Sequence, residues 1–189
     1  LDYACGEALE TRRVAAAVGR LVLCDGAPSV VAKLRERFGG LANVGFALPE
    51  DLDTELADGS TDLIVVSSLI QYLSRDDLAA LLDRFRAKLK PSGRLVIADV
   101  IPPDAGMVAD VTSLLRNALR NGYLPAALMG LVATAVSPYR KLRSEIGLAT
   151  YGEGEMIGLM AGHGFTATRH RPNLGLTPHR MTFVGVPAV

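Results

Sequence analysis

Two acids and a glycine near the start of the chain are the first residues whose types and spacing suggest chemistry. Asp2 follows an apolar Leu1, and Gly6 sits in a turn of small residues, Leu1-Asp2-Tyr3-Ala4-Cys5-Gly6-Glu7-Ala8-Leu9. Asp25 then closes the apolar run Leu21-Val22-Leu23-Cys24, 23 positions after Asp2, and Gly26 follows it. A glycine turn lets backbone amides approach a ligand, and an acid about 20 residues on can accept bonds from vicinal ribose hydroxyls. The pattern is that of a βαβ unit built to hold a dinucleotide or a nucleoside. A nicotinamide site would need two more glycines for its pyrophosphate turn, and a Tyr-x-x-x-Lys pair is also missing, so an oxidoreductase is disfavoured. Farther along, Asp99 ends an apolar segment, Tyr72 follows another, and His170 and His179 flank the last elements. Any of these could move a proton, and a histidine has the ordinary pKa for it near neutrality. The three histidines and two cysteines have no metal-ligand spacing, so no metal is expected.

The elements that must position these residues alternate between strand and helix. A helix over Arg12–Val18 links the first two strands. Another runs from Ala27-Pro28-Ser29 to about Arg37, with proline at its start and Gly39-Gly40 at its end. Val44–Ala47 reads as a third strand, and Leu63-Ile64-Val65-Val66 as a fourth, suited to burial on both faces. Ser74-Arg75-Asp76-Asp77 caps a helix whose Leu78, Leu81, Leu82, Phe85 and Leu89 share one side. Pro91-Ser92-Gly93 stops it before a strand over Arg94–Val100. Thr150-Tyr151-Gly152-Glu153 has capping-box spacing for a last helix ending near His163-Gly164. Strands over Phe165–Arg171 and Arg180–Val186 complete the chain. Crossover helices between apolar strands predict an α/β fold, a doubly wound and mostly parallel Rossmann-like sheet.

Five segments, in order, resemble class I S-adenosylmethionine-dependent methyltransferases. The opening nine residues match the family's acid-and-glycine motif, with Asp2 as the acid and Ala4, Gly6 and Ala8 at its three glycine positions. Asp25-Gly26-Ala27-Pro28 matches the motif whose acid holds ribose. Asp58-Gly59-Ser60-Thr61-Asp62-Leu63-Ile64-Val65-Val66 and Ser67-Ser68-Leu69-Ile70-Gln71-Tyr72-Leu73 match the fourth strand and its continuation. Leu89-Lys90-Pro91-Ser92-Gly93-Arg94-Leu95 matches the entry to the fifth strand. The resemblance covers residues 1 to about 103, with a family-like tail at 150–189.

That resemblance implies S-adenosylmethionine as cofactor and a reversed strand near the sheet edge. Asp2, Ala4 and Gly6 would meet the amino-acid end of the cofactor, and Asp25 with Gly26 its ribose. Adenine would lie near Leu48 with Glu50 or Asp51 at its amine, and Ser67 to Ile70, Ser68 included, would floor the cleft beside the sulfonium. Asp99, Tyr72 and His179 are the candidates for handling the acceptor. Ala8 is the larger departure, because a Cβ crowds a backbone that must lie close to the ligand. The alternative reading is a non-catalytic domain of the same fold with a degenerate cofactor site.

Composition narrows the partners. The 189 residues, 49% hydrophobic, suffice for one domain with a full core. Formal net charge is zero, so no electrostatic footprint for nucleic acid or an acidic membrane is present. Cys5 and Cys24 read as buried thiols of a cytoplasmic protein. Residues 104–149 form an insertion before the last two strands. It contains helix-like Met107–Asn121 and an apolar run from Leu124 to Ala133, which Pro125 makes too short and broken to span a bilayer. We read the insertion as a helical lid over a small, hydrophobic or aromatic substrate, with a homodimer contact or a plain core helix as the alternative. The glycine turn lies at the very beginning, so the chain reads as the ordered part of something longer.

Overall fold

The structure, a computed structural model, describes residues 1–104, 148–175 and 177–188. In chain order these form β1 (Asp2–Tyr3), α1 (Thr11–Ala17), β2 (Leu21–Cys24), α2 (Pro28–Phe38) and β3 (Val44–Ala47). A 3-10 turn (Pro49–Asp51) leads into α3 (Leu52–Glu55) and β4 (Thr61–Ser67). A second 3-10 turn (Ile70–Tyr72) precedes α4 (Arg75–Lys88) and β5 (Leu89–Val100). Then come α5 (Glu153–Gly162), β6 (Phe165–His170) and β7 (Met181–Pro187). Of the predicted insertion at residues 104–149, residues 105–147 lie outside the described residues.

The seven strands order as β3-β2-β1-β4-β5-β7-β6. β1 to β5 are parallel, and β7 runs antiparallel to both β5 and β6. The reversed strand is therefore the closing one, as predicted. Parallel pairing gathers the carboxyl ends of β1 to β5 along one edge. The reversal of β7 brings its amino end, and with it the connection after β6, to that same edge.

Helices pack both sides of the sheet. Ala15 of α1 with Leu34 and Phe38 of α2 bury Leu21 and Leu23 on one face of β2. Val22 and Cys24 turn the other way, onto Leu52 and Leu56 around α3. A larger core joins Ile64, Val66, Leu95 and Ile97 to α4 and to Met156 and Met160 of α5. All four residues of β2 are buried. The double burial predicted for β4 fails: Ile64 and Val66 are covered, but Leu63 is 44% exposed. The reason is one-sided packing, since among the described residues α4 covers only one face there.

Two boundaries shift. Ser74 caps α4 by accepting from the Asp77 amide at 3.1 Å, but the helix ends at Lys88. Leu89, extended at φ −75° and ψ 138°, already begins β5. Pro91-Ser92-Gly93 is then an excursion within that strand, because Thr61 pairs with Leu89 while Leu63 pairs with Arg94. Gly93 is sterically required: a Cβ there would lie 2.8 Å from the Thr61 carbonyl. The cap of α5 also moves by two residues. Gly152 is the N-cap, and Glu155 rather than Glu153 accepts its amide at 3.1 Å.

Candidate functional site

The turn after β1 is built around Asp25. Cys5 N–H donates to the Cys24 carbonyl at 3.1 Å, extending the β1–β2 pairing by one bond. Gly6 N–H then donates to Asp25 Oδ2, and Ala27 N–H to Asp25 Oδ1, each at 3.0 Å. The carboxylate thus joins the glycine turn to the start of α2. Each oxygen has used one of its two lone-pair positions, so two acceptor sites remain, one per oxygen, which suits a vicinal diol. Thr11 closes the turn from the other side, its buried hydroxyl donating to the Ala8 carbonyl at 2.6 Å.

Backbone conformation shows what the two alanines at glycine positions do. Ala4 (φ 58°), Gly6 (φ 54°) and Ala8 (φ 44°) all adopt the left-handed region. The glycine-type turn is therefore retained with side chains in place, at a conformational cost of about 1–2 kcal/mol per alanine. Beside this turn opens a cleft of about 680 Å³ whose lining includes Asp2, Ala4, Cys5, Ala8 and Ser67, a size that suits a small-molecule ligand. Asp2 sits on the central strand, paired with Leu23 on one side and Val65 on the other. Among the described residues its carboxylate makes no hydrogen bond. Burial raises its pKa above the ordinary 3.8. A half-buried acid facing a cleft with no partner favours a cationic ligand group there.

The remaining predicted residues divide by location. Glu50 and Asp51 occupy the 3-10 turn after β3, both exposed, and Asp51 Oδ2 accepts the Leu48 amide at 3.2 Å. Asp51 is thus engaged in its own turn, and Glu50 has the free edge. Gly26 is exposed with open space where a Cβ would stand. Ser67 lines the cleft, whereas Ile70, expected at its floor, turns into the core at 2% exposure. Tyr72 lies in the second 3-10 turn with about half its surface exposed. His170 ends β6, and His179 lies in the connection before β7. Cys5 and Cys24 are free thiols, pushed up to about 12, mainly by burial.

Asp99 is buried, and its carboxylate is occupied. Oδ2 accepts from the Ser68 hydroxyl and from Arg180 Nη1, both at 2.7 Å, and Oδ1 faces Asn173 Nδ2 at 3.4 Å. Asn173 also donates to the Thr177 carbonyl at 2.9 Å, and its Oδ1 accepts from buried Thr182 at 2.6 Å. Arg180, Asn173 and Thr182 were not singled out in the sequence. One signal could have found them: a lone acid at the end of the apolar run Leu95-Val96-Ile97-Ala98 needs a partner when buried.

A second cleft, of about 490 Å³, lies between Val14, Val18, Leu21 and Leu63 and reaches Arg20 and Thr61. It opens toward the amino ends of β2 and β4, away from the edge where ligands of such sheets bind. Among the described residues no group of three or more histidines, cysteines or acids is placed to hold a metal. No helix among them is long and apolar enough to cross a membrane.

Strand order, closing reversed strand and acid-anchored turn together define a class I methyltransferase fold. Residues 1–93 match the family model described as a methyltransferase domain. Among solved structures, a chain of the complex between the Haloferax volcanii Trm112 methyltransferase activator and a methyltransferase is similar over all of this chain and 81% of its own, with TM-score 0.66 and 14% identity. DhpI, solved as a complex with S-adenosylhomocysteine, is similar over 99% of this chain and 75% of its own, with TM-score 0.61 and 15% identity. The S-adenosylmethionine-dependent methyltransferase SibL is similar over the whole chain, at TM-score 0.64 and 19% identity; this chain spans half the length of SibL. No curated protein matches the sequence.

Proposed function

We propose that this protein is an S-adenosylmethionine-dependent methyltransferase acting on a small molecule. The observation that carries the reading is Asp25, which holds the left-handed turn at Gly6 while keeping an acceptor site on each oxygen for a ribose diol. Asp2 supports it, as an unpartnered carboxylate suited to the cofactor's amino group. DhpI, solved with S-adenosylhomocysteine and with S-adenosylmethionine, supports it by fold.

When bound, S-adenosylmethionine supplies a methyl carbon already activated by its bond to a positively charged sulfur. Asp25 at its ribose and Asp2 at its amino group would hold it to offer that methyl to an acceptor lone pair by direct displacement, with the neutral thioether as leaving group. The chain's contribution is placement and exclusion of water, and a dedicated base is optional. Tyr72 and His179 are the candidates for taking a proton from an acceptor that must lose one. The apolar sequence of the insertion supports a hydrophobic or aromatic acceptor.

Calorimetric titration with S-adenosylhomocysteine, beside Asp25→Ala, tests this. Micromolar binding that the variant loses supports the reading. No binding by a well-folded parent favours the alternative, a site degenerate at Ala4 and Ala8.

A further inference from the structure

Asp99 lies at an irregularity in β5. Ile97 pairs with Phe183 and Val100 with Met181, so β5 spends one more residue than β7 over that interval. Asp99 takes up the extra residue with φ 67°, in the left-handed region. A bulge of this kind redirects a side chain, and here the redirected carboxylate meets Ser68, which itself has φ 56°. Ser68 immediately follows Ser67, the β4 residue that lines the cleft, and its amide donates to the Ala98 carbonyl at 3.2 Å. From the opposite side Arg180 and Asn173 bring the connection between β6 and β7 onto the same carboxylate. The fit leaves no spare room: a Cβ on Gly175 would lie 2.6 Å from Asp99 Oδ1.

We propose that Asp99 is a positioning residue: it clasps the 173–180 connection to the end of β4 and, through the Ser68 hydroxyl, holds Ser68 left-handed so that Ser67 faces the cofactor cleft. The effect on ligand rests on the reading of that cleft as the cofactor site; the clasp itself does not. Two left-handed non-glycine residues sharing one hydrogen bond are strained, and such strain persists only where surrounding contacts over-determine it. Asp99, Arg180 and Asn173 are those contacts. The arrangement assigns Asp99 a role without proton transfer, since its oxygens already serve three donors.

Comparing Ser68→Ala with Ser68→Gly isolates the left-handed conformation that the clasp enforces. Both lose the hydroxyl, but glycine adopts positive φ freely whereas alanine does not. Both variants keep the Asp99–Arg180 pair, so neither leaves a bare buried charge. Titrated with S-adenosylhomocysteine, S68G is expected to bind about tenfold more tightly than S68A, the scale on which misplaced supporting groups act. Asp99→Asn should weaken binding likewise, and adding S68G to D99N should restore part of the loss. Hydrogen exchange at the amide of position 68 is read in parallel: protection is lost in S68A and D99N and kept in S68G. Equal affinity and equal protection in S68A and S68G overturn the proposal. Should the parent fail to bind S-adenosylhomocysteine, the methyltransferase reading falls. The exchange pattern alone then upholds or overturns the clasp.

Discussion

Replacing Ala4 by glycine should stabilise this protein, although the same change almost anywhere else would weaken it. Ala4 has φ 58°, and a left-handed alanine costs about 1–2 kcal/mol. Glycine removes that cost but loses about 0.5–1 kcal/mol through its freer unfolded chain. The net gain is about 0.5–1 kcal/mol, which for a chain of this size raises Tm by about 1–4 °C. Ala8, at φ 44°, should gain less, because its methyl packs against the core beneath α1 and α2. That lost contact is worth up to about 0.8 kcal/mol, leaving Ala8→Gly near neutral. Ala80, exposed in the middle of α4, is the control; glycine there should cost about 1 kcal/mol. Urea unfolding of the three variants beside the parent gives the comparison. If Ala4→Gly loses as much as Ala80→Gly, the turn is not left-handed and the argument for a retained glycine-type site collapses.

Other perturbations test the electrostatics. Because burial raises the pKa of Asp2 in the folded state, the folded form binds its proton more tightly than the unfolded form, and stability declines as pH rises through the interval above 3.8. Asp2→Asn should therefore melt higher than the parent at pH 7 and lose that advantage below pH 3; a lower melting point at neutrality would mean the carboxylate has a favourable partner. Cys24, fully buried and with its thiol pushed up to about 12, should resist iodoacetamide at pH 8 until the protein is unfolded, as followed by mass, whereas Cys5 lines the open cleft; rapid labelling of Cys24 in the native protein would contradict its burial. Lys88 is buried between Asp53 and Asp58, at 2.9 and 2.7 Å, yet both acids are largely exposed. Its pKa is raised, chiefly by the Asp58 bond, so this contribution is intact at neutrality and fades above pH 10.5. Lys88→Met, which keeps the stem, should change stability by no more than about 1 kcal/mol, and a loss of several would show that the ion pairs matter more than their exposure allows.

The parts of the fold legible in the sequence were those with a local physical cause. Apolar runs marked β2 to β5, and Pro28 and Ser74 marked the starts of two helices. The acid-turn-acid spacing placed Asp2, Gly6 and Asp25 at one edge, since parallel pairing admits no other arrangement. What escaped was set by tertiary packing. Nothing local distinguishes Pro91-Ser92-Gly93 as an excursion within β5 from a loop before it. The one-sided burial of β4 depends on which helices reach it. Asp99 drew notice as an acid at a strand end, but its partners Asn173 and Arg180 lie 74 and 81 residues away, beyond any periodicity or spacing rule.

The location of backbone strain joins these observations into one argument. Among the described residues, four that are not glycine have positive φ: Ala4, Ala8, Ser68 and Asp99. Two form the turn after β1, one follows β4, and one lies in the bulge near the end of β5. All four thus stand at the carboxyl edge, where ligands of open α/β sheets bind. Strain scattered along the chain would be incidental, but strain gathered at one edge points to a shape the edge must hold. The means differ between the two places. At Ala4 and Ala8 the turn is held by backbone bonds and by Asp25, so glycine can replace alanine with no loss of shape. At Ser68 and Asp99 the side chains themselves do the holding, so the hydroxyl and the carboxylate matter as much as the dihedral angles. Relief of strain should therefore stabilise the first place at little expense to the ligand, while at the second it should separate the hydroxyl's contribution from the conformation it enforces.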